Sequence, residues 1–474
     1  MAGLVHSWLV NRRLLWGLVA LGAIAVSLQS AGLFEQTVFN PGGVNQLGQF
    51  LIASVHPDLS REFLTVAVRA AWVTLAYGVC GTVLSVGAGF IGGILASKVW
   101  WAAVFPRTQG RWLWLTIRAM LAIPRAIHEL IWGLFFINIF GLDPLAAILA
   151  IAIPYGAIVT KVFSEILDET PRQPLLVLLN SGVAPLTAFS YSLIPQAWLN
   201  LVSYASYRFE CSLRSAAVLG IIGAGGLGYE ILLSLQSLRY EQLWTLFYAL
   251  FFLNGLVDLS SAGLRRRLGS PSRLDLNLSK GLATGRVAKT DFKPRRSLRF
   301  NPVLWLVGFI GVLLVPVCFR LTGADFSKLW SGQTLTLLTN ITGATWPPNF
   351  APEQLPQLFS LSLQTLAMSI LAIAVAGLGG IILSFPAASN FFLAGGLLSS
   401  GGQGFGDRVL AWGLLLVTRG ILLMARSIPA PIWAFGSVCL SGSLDCYRGC
   451  ESPWGFRQFR LFLVGVMAEG IENL

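Results

Sequence analysis

An all-α, polytopic membrane protein made of two tandem copies of one unit, the second incomplete, is what this sequence predicts. Three observations carry the prediction. The chain is 55% hydrophobic and only 11% charged, with a mean hydropathy of +0.70, whereas a soluble domain carries about 25% charged residues. No charge interrupts Leu14–Phe34, Ala70–Ser97, Phe300–Phe319 or Gln354–Gly406. Each run supplies the roughly 20 apolar residues that a bilayer-spanning helix needs, and the last is long enough for more than one crossing. Finally, Arg118-Ala-Met-Leu-Ala-Ile-Pro-Arg125-Ala-Ile-His-Glu-Leu-Ile-Trp132 is repeated as Arg419-Gly-Ile-Leu-Leu-Met-Ala-Arg426-Ser-Ile-Pro-Ala-Pro-Ile-Trp433. Arginine inside an apolar run is costly, so a costly pattern that recurs at the same offsets marks an internal repeat. A membrane β-barrel would instead show short alternating segments.

The elements follow in order. Asn11-Arg12-Arg13 precedes a first helix over about 14–34. The run is long and lacks a small-residue cleavage pattern, so it reads as a retained anchor rather than a signal peptide. A polar extracytoplasmic loop extends to about residue 66, and a helix over about 68–97 returns the chain inside. The segment 112–141 goes out with its two arginines and turns at Gly141-Leu-Asp-Pro144. A helix over 144–163 comes back to a cytoplasmic stretch, 164–190. A short crossing at about 192–207 precedes the charged cluster Arg208, Glu210 and Arg214. A glycine-rich stretch, 215–229, and a last helix, about 241–262, complete six crossings in the first unit, residues 1–263. The basic clusters Arg12-Arg13, Lys98 with Arg107 and Arg111, Arg265-Arg266-Arg267, and Lys293 to Arg299 place the N-terminus and the loops around 98–112 and 264–299 in the cytoplasm.

Residues 264–299 read as a polar, basic linker. The second unit, 300–474, then restarts. Phe300–Phe319 matches the first helix, the loop with Pro347-Pro348 matches the first polar loop, and a helix from near Leu361 matches the one from near Val66. After Trp433 the copies diverge over 437–460 and converge again, since Val466-Met-Ala-Glu469-Gly-Ile-Glu472 parallels Val162-Phe-Ser-Glu165-Ile-Leu-Asp168. Two compensating reading-frame shifts would produce that pattern, and simple divergence is the alternative. The apolar period is broken there, so 437–460 is expected to be the least ordered part of the second unit.

The net charge of +12 invites a nucleic-acid reading. Basic cytoplasmic loops account for it better, and no nucleic-acid partner is expected. Cys80, Cys211 and Cys318 lie in or beside apolar segments and read as small apolar fillers. Cys439, Cys446 and Cys450 cluster without a nearby His or a CxxC, so no metal or cofactor is expected. Gly223-Ala-Gly225-Gly226-Leu-Gly228 formally satisfies GxGxxG, but it sits in an apolar membrane stretch without a βαβ context. Close helix packing or a helix break beside a translocation path explains these glycines better. There is no Walker A lysine and no catalytic triad, so the chain is not read as an enzyme.

Gly182, nine residues, then Ser192-Leu193-Ile194-Pro195 has a physical sense. Glycine permits a sharp turn between two short helices, and proline starts the next crossing. This spacing resembles the consensus loop of ABC-importer membrane subunits, Glu-Ala-Ala, three residues, Gly, nine residues, Ile-x-Leu-Pro. In that family the loop docks on a separate ATPase. The departure is that Leu176-Val177-Leu178 occupies the Glu-Ala-Ala positions, so the acidic residue is missing. The stretch Tyr207 to Gly228, with the Ile-Trp and Arg-Ser-Ile-Pro patterns, is similar to phosphonate-type permeases. The resemblance implies a type I importer fold and an ATP-driven importer of phosphonate, phosphite or a related oxyanion. It implies an ATP-binding subunit and an extracytoplasmic binding protein as partners, with a second permease chain as a further candidate. It places the chain in a prokaryotic inner membrane with Gly182, Ser192, Leu193, Ile194 and Pro195 in the coupling loop.

Intramembrane charges usually face a cavity or pair with each other. Arg118, Arg125, Arg208, Glu210 and Arg214, with Gly223, Gly225, Gly226 and Gly228, are therefore candidates for a translocation path, since the arginine fork matches oxyanion geometry. Structural salt bridging is the competing explanation, and His128, without metal-ligating companions, is not read as a ligand. The rival classes are a secondary transporter or channel, which has no use for a coupling loop, and a non-functional remnant. Because the second unit stops at Leu474, before its own coupling loop, weak or absent transport by the chain on its own is expected.

Overall fold

The computed structural model describes residues 2–30, 41–105, 109–267, 302–345, 352–388 and 405–427. Among the described residues there is no strand. The helices are α1 (Ala2–Ser30), α2 (Pro41–Ala53), α3 (Arg61–Ala96), α4 (Lys98–Val104), α5 (Gln109–Ala126), α6 (Glu129–Phe140), α7 (Pro144–Glu169), α8 (Gln173–Asn180), α9 (Pro185–Leu219), α10 (Leu227–Gln236), α11 (Tyr240–Arg267), α12 (Pro302–Thr322), α13 (Gly332–Thr345), α14 (Leu355–Ala387) and α15 (Phe405–Ser427). Four described helices are long and apolar enough to cross a membrane, and up to six spans result if the bent pairs α5–α6 and α9–α10 each count as one.

Two bodies are formed. One combines Leu59–Leu238 with Tyr248–Ile341, and the other combines Met1–Asp58, Arg239–Phe247 and Thr342–Leu474. In this division α12 falls with Leu59–Leu238, and α1 falls with Thr342–Leu474. Within the larger body, α12 packs on α3, with Cys318 buried and Leu314, Val315 and Phe319 against the same core as Cys80. Within the other body, Ile24 and Leu28 of α1 pack against Met368 and Leu371 of α14.

The core of the larger body is the contact of α3 with α7. Gly81, Ser85, Gly89 and Gly93 recur every fourth residue on α3, opposite Ile151, Tyr155, Val159 and Phe163, which recur every fourth residue on α7. A Cβ on Gly81 would lie 2.7 Å from Ile151 Cγ2, one on Gly89 would lie 2.4 Å from Val159 Cγ1, and one on Gly93 would lie 2.7 Å from Phe163 Cβ. The absent side chains let the backbones approach as small residues do in membrane helix pairs. The pairing rises along both helices together, so α3 and α7 run parallel, and the chain between them crosses once. That agrees with the alternation of directions read from the sequence.

Several elements differ from the expected boundaries. The first polar loop contains a helix, α2, in which Phe50 packs on Trp244 with ring centroids 5.0 Å apart. The 112–141 segment is broken into α5 and α6 at an 83° bend. Pro124 removes a backbone donor in the last turn of α5, and His128 caps α6 by accepting from Leu130 N. The expected short crossing at 192–207 is part of one 35-residue helix, α9, which carries the charged cluster along its length. At 1.5 Å per residue α9 is about 52 Å long, well beyond the ~30 Å hydrocarbon core, so its first turns extend outside. The first residues of the expected linker, 264–267, are the last turn of α11; its remainder, the Pro347-Pro348 loop, Trp433 and the 437–460 segment lie outside the described residues.

Replacing Gly89 with Val should destabilise the chain by about 1–3 kcal/mol through overpacking against Val159. Gly87, whose Cβ position meets nothing within 4 Å, is the control. Thermal unfolding of the detergent-purified variants checks this, with G87V close to wild type.

Candidate functional site

The segment between α7 and α9 turns at Gly182, as the glycine spacing predicts, but joins one short helix, α8, to the 35-residue α9 rather than two short helices. Thr170 ends α7, α8 follows, and the chain turns at Ser181-Gly182 before α9 starts at Pro185. Gly182 has φ +82, and the turn is closed by Gly182 N donating to Leu179 O at 3.0 Å and Val183 N donating to Leu178 O at 3.1 Å. A side chain would be strained there, which is why the turn takes glycine. Leu175 anchors α8 in a core with Phe189, Leu193 and Ala197, while Leu176, Val177, Leu186 and Tyr191 are exposed. The expectation that Pro195 starts the next crossing is corrected. Pro185 starts α9, and Pro195 lies inside it, three residues after the buried Ser192. Leu193 is fully buried, Ile194 is half-buried and Pro195 is exposed.

The glycine-rich stretch is a tight break between α9 and α10. Gly223, Gly225 and Gly226 have φ of +101, +94 and +76. A Cβ on Gly228 would lie 1.8 Å from Ala217 O, so the chain doubles back closely on itself there. Thr74 of α3 pins the break, with its Oγ1 accepting from Leu227 N at 2.8 Å. These glycines serve backbone geometry and close approach, as the rejection of a dinucleotide site requires.

The charged candidates separate into distinct settings. Arg208 is buried with its guanidinium 4.0 Å from the centre of the Tyr155 ring. The Tyr155 hydroxyl shares a 2.5 Å hydrogen bond with Ser215 Oγ, which donates to Glu129 Oε1 at 2.8 Å. A buried polar chain thus runs from Arg208 to Glu129, and His128 lies beside it with Nε2 3.6 Å from Glu129 Oε2. Glu210, two residues from Arg208, pairs with Arg265 at 3.0 Å instead. Arg214 donates to Cys211 Sγ at 3.7 Å. Arg125 is exposed at the α5–α6 break. Trp132 of the repeated Ile-Trp pair closes that break by donating from Nε1 to Pro124 O at 3.2 Å.

Arg118 sits where α3, α5 and α7 meet. Its Nε donates to Ala96 O at 3.3 Å and its Nη2 to Ser164 Oγ at 3.1 Å, with Asp168 Oδ2 3.8 Å away. Its repeat partner does the same in the other body, where Arg419 Nε donates to Ala387 O at 3.3 Å. Ala96 ends α3 and Ala387 ends α14. At the opposite end of α7, Asp143 caps Leu145 N and forms an ion pair with Lys328, whose ammonium is held above its ordinary pKa by that hydrogen bond. Sequence reasoning missed Tyr155, Ser215, Thr74 and the Asp143–Lys328 pair. Asp168 did leave a signal, as the acid whose position recurs beside Glu469 and Glu472. No group of three or more His, Cys, Asp or Glu able to hold a metal occurs among the described residues.

Removing the Arg265 cation from the buried Glu210 carboxylate should cost about 3–5 kcal/mol, the usual penalty for breaking a buried pair. The single variant Arg265→Gln should therefore melt well below wild type, and the double variant with Glu210→Gln should recover most of the loss.

Residues 88–270 match the family described as binding-protein-dependent transport system inner membrane component. The chain is 25% identical over 250 residues to the phosphite transport system permease protein PtxC of Stutzerimonas stutzeri, covering 52% of this chain and 86% of that one. It is 28% identical over 199 residues to the phosphate-import permease protein PhnE of Mycolicibacterium smegmatis, covering 42% of this chain and 36% of that one. It is 30% identical over 118 residues to PhnE2 of Escherichia coli strain K12, named as a cryptic phosphonate transport system permease, covering 25% of this chain and 97% of that one. Among solved structures, an inward-facing MetNI methionine ABC transporter chain aligns with a TM-score of 0.38 and 23% identity over 44% of this chain and 99% of that one.

Proposed function

The chain belongs to the family of binding-protein-dependent transport system inner membrane components, and from that premise we propose that it carries phosphite, phosphonate or a related oxyanion across the inner membrane. The family makes it a multi-pass permease subunit of an ABC importer rather than an enzyme. The specific substrate, the coupling contact and the orientation are our reading. The similarity to phosphite and phosphonate permeases supports the substrate class.

The observation that carries the mechanism is the α8–Gly182–α9 turn. It lies at the end of α7 that holds Arg118, projects exposed Leu176 and Val177, and has no charged residue from Gln173 to Tyr207. In our reading this end is cytoplasmic, and an ATPase subunit docks on α8. ATP binding then moves α8 as a unit, because Leu175 ties it to Phe189 and Leu193 at the base of α9. The missing Glu of the consensus loop is replaced by apolar contact through Leu176 and Val177. The packing of α12 on α3 and of α1 on α14 supports the reading that the two copies act as a pair, as importer permeases do. An extracytoplasmic binding protein delivers the oxyanion on the opposite side, and a second permease chain is a further candidate partner.

Among the charged residues, Arg125 is the strongest candidate for contact with the passing oxyanion. It is exposed, stands at a broken span and belongs to the repeated motif. Arg208, Glu210 and Arg214 lie deeper and serve internal contacts first, while Gly223, Gly225, Gly226 and Gly228 shape the break beside them.

Gly182→Trp should abolish co-purification of the ATPase while leaving membrane insertion intact, and wild-type co-purification would refute the coupling reading. Arg125→Gln should raise the KM for phosphite uptake by about tenfold, the worth of one charge-assisted hydrogen bond, at unchanged expression. Uptake by vesicles holding the full chain, its ATPase and its binding protein measures this.

A further inference from the structure

The first arginine of the repeated motif is not placed like a path residue. The last carbonyls of a helix have no partner within it and carry the negative end of its dipole. Ala96 O, at the end of α3, accepts from both Trp114 Nε1 at 3.0 Å and Arg118 Nε at 3.3 Å. The guanidinium lies against the Trp114 ring, 4.8 Å from its centre. The other arm of its planar fork donates to Ser164 Oγ on α7. Ser164 Oγ itself donates to Lys161 O, so it receives the arginine proton on its lone pair. One side chain on α5 thus ties the end of α3 to α7.

Asp168 completes the knot. Its Oδ1 accepts from Ser97 Oγ at 2.7 Å and from Val99 N at 3.1 Å, which fixes the start of α4 where α3 stops. Its backbone carbonyl accepts from Arg172 Nη2 at 3.1 Å. Arg172 is the residue immediately before α8. The same acid therefore faces Arg118 with its side chain and holds the entry to α8 with its backbone. In the other copy Arg419 makes the corresponding bond to the last carbonyl of α14, and Glu472 stands at the Asp168 position of the sequence repeat.

We propose that Arg118 is a positioning residue for energy coupling. From the middle of α5 it clasps the ends of α3 and α7, so that a tilt of these spans and a movement of α8 occur together, and Arg419 makes the corresponding bond from α15 to the end of α14. The inference rests on the reading of α8 as the docking element. A residue needed only for packing would be replaceable by any polar group of similar reach. A clasp needs the fork, because a carbonyl and a hydroxyl are engaged at once. Arginine and lysine should therefore differ in function while both fold.

The test uses the full chain with its ATPase and binding protein in proteoliposomes, with phosphite as the probe. Arg118→Gln should leave ATPase co-purification and melting temperature close to wild type. It should lower the stimulation of ATP hydrolysis by phosphite-loaded binding protein about tenfold, within the range of coupling between sites. Arg118→Lys should restore part of that stimulation. Asp168→Asn should resemble Arg118→Gln, and the double variant should be no worse than either single one, as expected for residues acting as one unit. Wild-type stimulation in both single variants would overturn the proposal, as would an additive double variant. If Arg118→Gln lost the ATPase altogether while Gly182→Trp retained it, the docking element would lie elsewhere and the coupling-loop reading itself would fall.

Discussion

The contact between α3 and α7 is what the larger body depends on. Two helices buried in one another over three turns cannot use the hydrophobic effect to associate in a bilayer, because lipid is as apolar as leucine. They associate by backbone proximity, and the four-residue recurrence of Gly81, Ser85, Gly89 and Gly93 supplies it. The matching recurrence of Ile151, Tyr155, Val159 and Phe163 fills the groove and fixes the register. Several polar groups are placed along this pair of helices. Thr74 at one end meets the glycine break, Tyr155 in the middle meets Arg208 and Ser215, and Ser164 with Asp168 at the other end meets Arg118.

The second constraint is that a backbone group freed where a chain breaks inside a membrane needs an internal partner. Each described break has its own internal donor or acceptor. Trp132 answers Pro124 O at the α5–α6 bend, Thr74 answers Leu227 N at the glycine break, and Arg118 and Trp114 answer Ala96 O where α3 ends.

Much of this was legible in the sequence. Membrane class, the alternation of spans and the turn at Gly141-Leu-Asp-Pro144 follow from uninterrupted apolar runs and from turn residues. The Gly182 turn follows from spacing. The packing of α12 on α3 and of α1 on α14 was not legible, because an apolar helix face carries no mark of which apolar partner it will meet. The length of α9 was hidden by Arg208, Glu210 and Arg214, which read as a boundary. In fact Tyr155 and Arg265 satisfy two of these charges laterally, so the helix continues past them. The break at His128 was likewise hidden, because apolar sequence continues across it and only the bend distinguishes one span from two half-spans.

The arginines at 118 and 125, which recur in the sequence at 419 and 426, are costly residues in apolar runs. The two positions do different work although they look alike in sequence. Arg118 and Arg419 answer the last carbonyl of the preceding long span, a site created by the end of a helix and needing a fixed cation. Arg125 stands seven residues on, two turns along α5 and past its proline, where the helix ends and the side chain is exposed. The same spacing therefore places one arginine among bonds to α3 and α7 and leaves the other exposed at the end of α5. That division accounts for a motif which, read as a list of charges, would assign both residues to one role.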